Sequence, residues 1–330
     1  MNRQQWNGRP KKEQGGGLNT RTVFLLAVCG GLILAGIISL IVTSLQQRKT
    51  EKTDEEMRAL YHTETAIPTL TPSPSAEPEE TASALPAGEP AQAAETGIPE
   101  ETATPAPTLV PRLQEIPYPG NPGRKASDRF QELRKSNQDI VGWLTIGSMV
   151  DEAVVQRDNE FYMDHDVKGR ENASGALFLD AMVSLDHRPY SLIIFGHNMK
   201  TGSRFGSLRN YDSIAFYRNY PFIRFDTLYE EGQYVVFSVG TVSLEESAPN
   251  CLDFFGLVSL RTDERQQALD VLKAVSIHNC PIDVRLDDQL LVLVTCVKND
   301  EERRVVAARR IRDGETMEEL KALAEKSTDR

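Results

Sequence analysis

Cys296 closes the apolar run Leu290–Thr295 and is followed at once by the polar stretch VKNDEE. A side chain placed there leaves a rigid strand at the mouth of a loop, the usual setting of a positioned nucleophile. Cysteine reacts as the thiolate, and with a free pKa of about 8.5 only a small fraction is ionised at neutral pH. It therefore needs a histidine nearby, which can also protonate a leaving amine. His197 repeats the placement of Cys296: the apolar LIIF, then Gly196, then His197 opening the polar NMKTGSRFG. The third requirement is a fixed cation for the oxyanion that forms when a thiolate attacks a carbonyl. The run RRVVAARRI starts seven residues beyond Cys296, at Arg303. Side chains alternate along a strand, so Arg303, Val305 and Ala307 share one face and Arg304, Val306 and Ala308 the other. A short loop, 297–302, would bring one of these arginines beside Cys296. Alternation alone does not choose between them.

The remaining cysteines and histidines have plainer readings. Cys29 lies in a long apolar run, where it is a small apolar residue. Cys251 and Cys280 flank a predicted helix and are either a disulfide across it or two free thiols. His62 falls in a proline-rich region, His278 follows the helix, and His165 and His187 sit in polar segments. No cysteine pair has the C-x2-4-C spacing of a zinc ribbon, and no glycine-rich loop is built to cradle phosphate. Neither a metal site nor a cofactor is expected.

Around these residues the chain is a mosaic. It has 330 residues and a net charge of −11, enough for a sizeable core but too acidic for a nucleic-acid binder. Residues 1–22 form a basic tail. Residues 23–45 carry no charge, and at about 1.5 Å per residue they are long enough to cross a ~30 Å hydrocarbon layer. The basic flank predicts a single-pass anchor with the N-terminus in the cytoplasm and the rest of the chain outside. Thirteen of the 18 prolines fall between Pro68 and Pro122, and residues 59–111 contain eight glutamates and no Lys or Arg. Such composition predicts a disordered spacer over 46–123. A globular domain is expected over 124–315 and a charged C-terminal helix over 316–330. Within the domain, SDRFQELRK reads as a short helix and TDERQQALDVLKAVSI, 262–277, as the clearest one. DIVGWLTI follows the first helix, and AVVQ, GALFLD, SLIIFGHN, QYVVFSVGTVSL, LLVLVTC and RRVVAARRI read as strands. Many strands and few helices indicate a mainly β fold, a barrel or sandwich carrying helical insertions.

Over roughly residues 128–311 the sequence resembles the sortases, most closely class B. The resemblance is carried by NQDIVGWLTI, AVVQRDNEFYMDHD, GALFLD, IIFGHNMKTGSRFGSL, LVTC and RRVVAAR in that order. It implies an eight-stranded β-barrel with N-terminal helices and one inserted helix, which 262–277 would supply. It also implies a membrane-anchored cysteine transpeptidase. His197 then matches the catalytic histidine, Cys296 the nucleophile of a T-L-x-T-C-like motif, and Arg303 the arginine of R-x-V-V-x-A, with Arg304 as the fallback. Leu293 takes the Leu position of that motif, while Val292 stands where the family has Ser or Thr. Thr295, Leu293 and Asn198 are the candidates for substrate contact. The implied partners are surface proteins bearing a C-terminal sorting signal, cleaved after Thr, and an amine acceptor from a peptidoglycan cross-bridge or a pilin lysine. The implied setting is the cell membrane beneath a Gram-positive-type wall. The same three residues would also serve a hydrolase, and a stalked binding module with inert residues is the non-enzymatic alternative.

Overall fold

Two apolar sets on the same strands decide the architecture. The computed structural model describes residues 20–63, 110–297 and 301–330. In chain order it runs α1 (Thr20–His62), α2 (Asp128–Arg134), β1 (Ile140–Ile146), β2 (Val150–Val155), β3 (Leu177–Leu179), β4 (Ser191–Phe195) and α3 (Ile214–Asn219). It continues with β5 (Phe222–Thr227), β6 (Gln233–Ser243), α4 (Phe254–Val258), α5 (Thr262–Ala274), β7 (His278–Asn279), β8 (Leu290–Cys296), β9 (Glu302–Arg310), α6 (Met317–Ala324) and β10 (Thr328–Asp329). Eight strands close a barrel in the order β1-β2-β3-β4-β8-β9-β6-β5. β4 and β8 run parallel, with Ile193 opposite Val292 and Phe195 opposite Val294.

Alternation sorts the side chains of β8 and β9. Leu291, Leu293, Val306 and Ala308 fill the barrel with Leu192 and Ile194. Leu290, Val292, Val294, Val305 and Ala307 face outward and are covered by Leu257 of α4 and by Leu269 and Leu272 of α5. Strands buried on both faces read as unbroken apolar runs, which is why LLVLV shows no alternation. Arg265 of α5 is fully buried, and its guanidinium donates to the carbonyls of Tyr190, Leu257, Leu286 and Asp288 and to the Ser191 hydroxyl. Desolvation pushes its pKa down to about 10. The inserted helix is thus stapled to the entrance of β4 and β8 by one cation.

The N-terminal half differs from the expected spacer. α1 continues to His62, and the chain divides after Thr53, with Asp54–Arg330 forming one compact unit. Within that unit Met57 and Tyr61 are buried, and the Tyr61 ring stacks on Trp143 with centroids 4.2 Å apart. Residues 110–123 also run along the domain: Leu113 N–H donates to the Leu260 carbonyl at 2.7 Å, and Tyr118 is buried. The barrel unit therefore starts at Asp54 rather than 124. The rest of the expected spacer, 64–109, and the basic tail through residue 19 lie outside the described residues. The uncharged segment 23–45 has helical backbone within α1, but the side chains at 23–31, 33 and 34 lie outside the described residues. Among the described residues no helix is long and apolar enough to cross a membrane. At the other end, α6 buries Leu320 and Ala324 and β10 pairs with β7, so residues 316–330 pack on the domain by an amphipathic face. Cys251 and Cys280 are free thiols, not a disulfide.

Candidate active site

Cys296 is the last residue of β8, and its cross-strand partner in β9 is Arg303. Directly opposed residues of an antiparallel pair project to the same face. Cys296 and Arg303 thus share the outward face of Val294 and Val305, one step beyond the cover of α4 and α5. Arg304 pairs instead with Thr295 on the inward face and forms an ion pair with Asp212. Register resolves what alternation left open: only Arg303 lies on the face of the thiol. Its Nη1 donates to the Glu302 carbonyl at 3.0 Å. Cys296 is half-buried, so the sulfur is neither sealed in the core nor free in solvent.

The parallel pairing of β4 with β8 delivers His197 to the same rim. Gly196 N–H donates to the Val294 carbonyl at 3.2 Å, and continuing that register sets His197 level with Cys296. A Cβ at Gly196 would come within 2.4 Å of the Leu177 side chain and 2.9 Å of the Phe205 ring, so glycine lets the chain turn out here without displacing either buried neighbour. Asn198 Nδ2 donates to the Cys296 carbonyl at 2.9 Å and ties the histidine loop to the cysteine strand. His197 Nε2 lies 2.6 Å from the Met163 carbonyl. A carbonyl only accepts, so Nε2 carries the proton, and Nδ1 is the nitrogen left for chemistry.

The three residues expected to perform chemistry are therefore brought to one end of three adjacent strands. The expected substrate contacts fare differently. Leu293 is fully buried inside the barrel, where its role is packing beneath the strand, not contact with a ligand. Thr295 is also buried and faces inward, away from the side that carries Cys296, and its hydroxyl has no partner among the described residues. Asn198 is committed to bracing Cys296. The Met163 carbonyl was invisible to side-chain reasoning because its part is played by backbone. No cluster of His, Cys, Asp or Glu able to hold a metal occurs among the described residues. A cavity of about 980 Å³, lined by Asn121, Arg129, Asp226 and Glu231, is elsewhere. It lies beside the β5–β6 turn, at the opposite end of β6 from the residues that pair with Glu302 and Arg303.

No protein-family model matches the chain. Sortase B of Listeria monocytogenes is 30% identical over 183 residues, which cover 53% of this chain and 70% of the relative. Sortase B of Staphylococcus aureus is 28% identical over 192 residues, 56% of this chain and 74% of the relative. The fold is that of the solved structure of sortase B from Bacillus anthracis in complex with AAEK1. That likeness has a TM-score of 0.56 at 21% identity and covers 81% of this chain and 99% of the other.

Proposed function

This chain belongs to the sortase family, class B, a family of cysteine transpeptidases, and we propose that Cys296, His197 and Arg303 carry out its acyl transfer. The supporting observation is the pairing of Cys296 with Arg303 across β8 and β9, at the rim to which β4 delivers His197. The Cys296 thiolate attacks the carbonyl carbon of a Thr residue in a sorting signal. A C–S bond forms and the carbonyl oxygen becomes an oxyanion, which the Arg303 guanidinium stabilises. Collapse of the tetrahedral species breaks the C–N bond, and the imidazolium of His197 gives the departing amine its proton from Nδ1. An amine of a peptidoglycan cross-bridge or a pilin then attacks the thioester, gives a proton to His197 and expels the thiolate. If water takes the place of that amine, the outcome is hydrolysis.

The proposed substrates are surface proteins with a C-terminal sorting signal. The proposed location is the outer face of the membrane, with residues 23–45 as the anchor; the support is their 23-residue uncharged length behind a basic flank. Incubating the protein with candidate sorting pentapeptides should give a covalent adduct at Cys296, detected by mass. Adding oligoglycine or a diaminopimelate-type amine should convert that adduct to an amide. Cys296→Ala should form no adduct, and turnover by that variant would reject the proposal. Fractionation of cells expressing the full chain tests the location: recovery in the soluble fraction without cleavage would reject the anchor.

A further inference from the structure

Arg204 has an unusual combination of backbone and side chain. Its φ of 52° and ψ of −127° lie in the left-handed half of the map, which L-residues avoid and glycine takes easily. The position nevertheless holds an arginine, and its side chain is 2% exposed. The guanidinium makes three hydrogen bonds: Nε donates to the Gly175 carbonyl at 3.0 Å, and Nη1 donates to Asp54 at 3.0 Å and to Glu152. A buried cation in a strained turn persists only where its surroundings over-determine it.

Both supports of the His197 ring run through this residue. On the backbone side, Arg204 forms a bridge with Asn198, and the next residue, Phe205, donates its N–H to the His197 carbonyl at 3.0 Å. On the side-chain side, Arg204 grips Gly175, whose φ is +57°. A Cβ at Gly175 would sit 2.6 Å from the Tyr162 carbonyl oxygen and 2.8 Å from that of Met163, so the two segments are in direct contact there. The Met163 carbonyl is the acceptor of His197 Nε2–H. One guanidinium therefore links the loop that begins at His197 to the turn that orients its ring. One of the two carboxylates holding that guanidinium comes from α1, a helix outside the barrel.

We infer that Arg204 is a positioning residue for His197 and that Asp54 is the counter-ion through which α1 tunes the acid of the active site. This rests on the reading of His197 as that acid. A displaced imidazole would lower the rate of the chemical step and leave substrate affinity nearly unchanged, because the proton is needed only as the amine departs.

The test uses the full chain with 15N-labelled histidine. The signature is the His197 Nε2–H resonance, shifted and protected from exchange by its bond to Met163. Asp54→Asn keeps the size of the side chain and leaves the Arg204–Glu152 pair in place. It should lower kcat about three- to tenfold with KM within about twofold, and speed exchange of that proton. Arg204→Met alone strands two carboxylates, so it is made together with Asp54→Asn and Glu152→Gln. The triple variant should lower kcat at least about tenfold and abolish the protected resonance. A folded triple variant with wild-type kcat and an unchanged His197 resonance would overturn the role of Arg204. If the triple variant does not fold, Asp54→Asn decides: unchanged kcat and resonance overturn the inference. The resonance is read without substrate, so failure of the wild type to process any sorting peptide would count against the proposed function, not against the positioning of the ring.

Discussion

Arg303 and Arg304 differ by one position and by one face of β9, and that difference fixes what each can do. Arg303 is registered with Cys296, whereas Arg304 turns inward and pairs with Asp212. Arg303→Ala should therefore lower kcat/KM by about 10²–10³, the usual effect of removing one oxyanion donor. Arg304→Ala should keep kcat/KM within about threefold. It should cost at most about 1 kcal/mol of stability, because Asp212 is half-exposed and such pairs are weak. Steady-state kinetics on the two variants with one sorting peptide checks both values; equal losses would remove the basis for choosing between the arginines. The types and spacing of these residues were legible in the sequence, but the choice was not. Facing is a property of register, and register is set by pairings such as Val292 with Ala307, far from the site. Leu293 shows the reverse: a motif position invited a functional role, and the inward side of a strand gives it a packing one.

At the scale of elements, legibility followed the burial pattern. β4 and β8 stood out because both faces are buried and their sequences are nearly continuous in apolar residues, and β9 because a short buried apolar run, 305–308, lies between paired arginines. β5 was missed because Phe222–Thr227 places Arg224 and Asp226 among its apolar residues; Asp226 is buried but engaged by Arg224, Tyr61 and the Gly232 N–H. α5 was legible as a helix, but the anchoring role of Arg265 was not, since nothing in TDERQQALD distinguishes a buried arginine from a solvated one. Arg265→Met should destabilise the domain by about 3–5 kcal/mol, as expected when buried carbonyls lose their only charged donor. Urea denaturation checks this, and a loss below about 1 kcal/mol would mean the carbonyls find other partners. α1 adds a titration. Burial is the main cause that raises Asp54 from 3.8 to about 6; Arg204 and Arg58 oppose the shift, and Glu152 adds to it. A carboxyl raised on folding favours the protonated folded form. Its contribution to stability is thus fully present below about pH 3.8 and is lost as the pH rises through about 6. Asp54→Asn cannot titrate, so the stability of the wild type relative to this variant should fall between pH 4 and pH 6 and then level off. Denaturation midpoints of both proteins across that range check the sign.

At the scale of the whole molecule, the boundary of the folded unit determines which fragment can be studied. Composition places it near residue 124, because the proline- and glutamate-rich stretch dominates any average taken over 46–123. The flanks of that stretch contain few apolar residues, but three large ones are buried: Met57 and Tyr61 before it, Tyr118 after it. Tyr61 does more than fill space, since it covers the Trp143 indole, receives the Arg129 guanidinium over its ring at 4.7 Å and donates its hydroxyl to the buried Asp226. A chain starting at residue 124 loses all three side chains and leaves Arg204 with Glu152 as its only carboxylate partner. Truncating a buried Met or aromatic residue costs about 2–5 kcal/mol, against a total stability of roughly 5–15 kcal/mol for a typical domain. The fragment 124–330 should therefore melt at least about 10 °C below the full chain, while a chain starting at Asp54 should melt within a few degrees of it. Thermal unfolding of the two fragments beside the full chain separates these outcomes. Equal melting temperatures for all three would mean that α1 rests on the barrel without stabilising it, and residue 124 would again be the start of the domain.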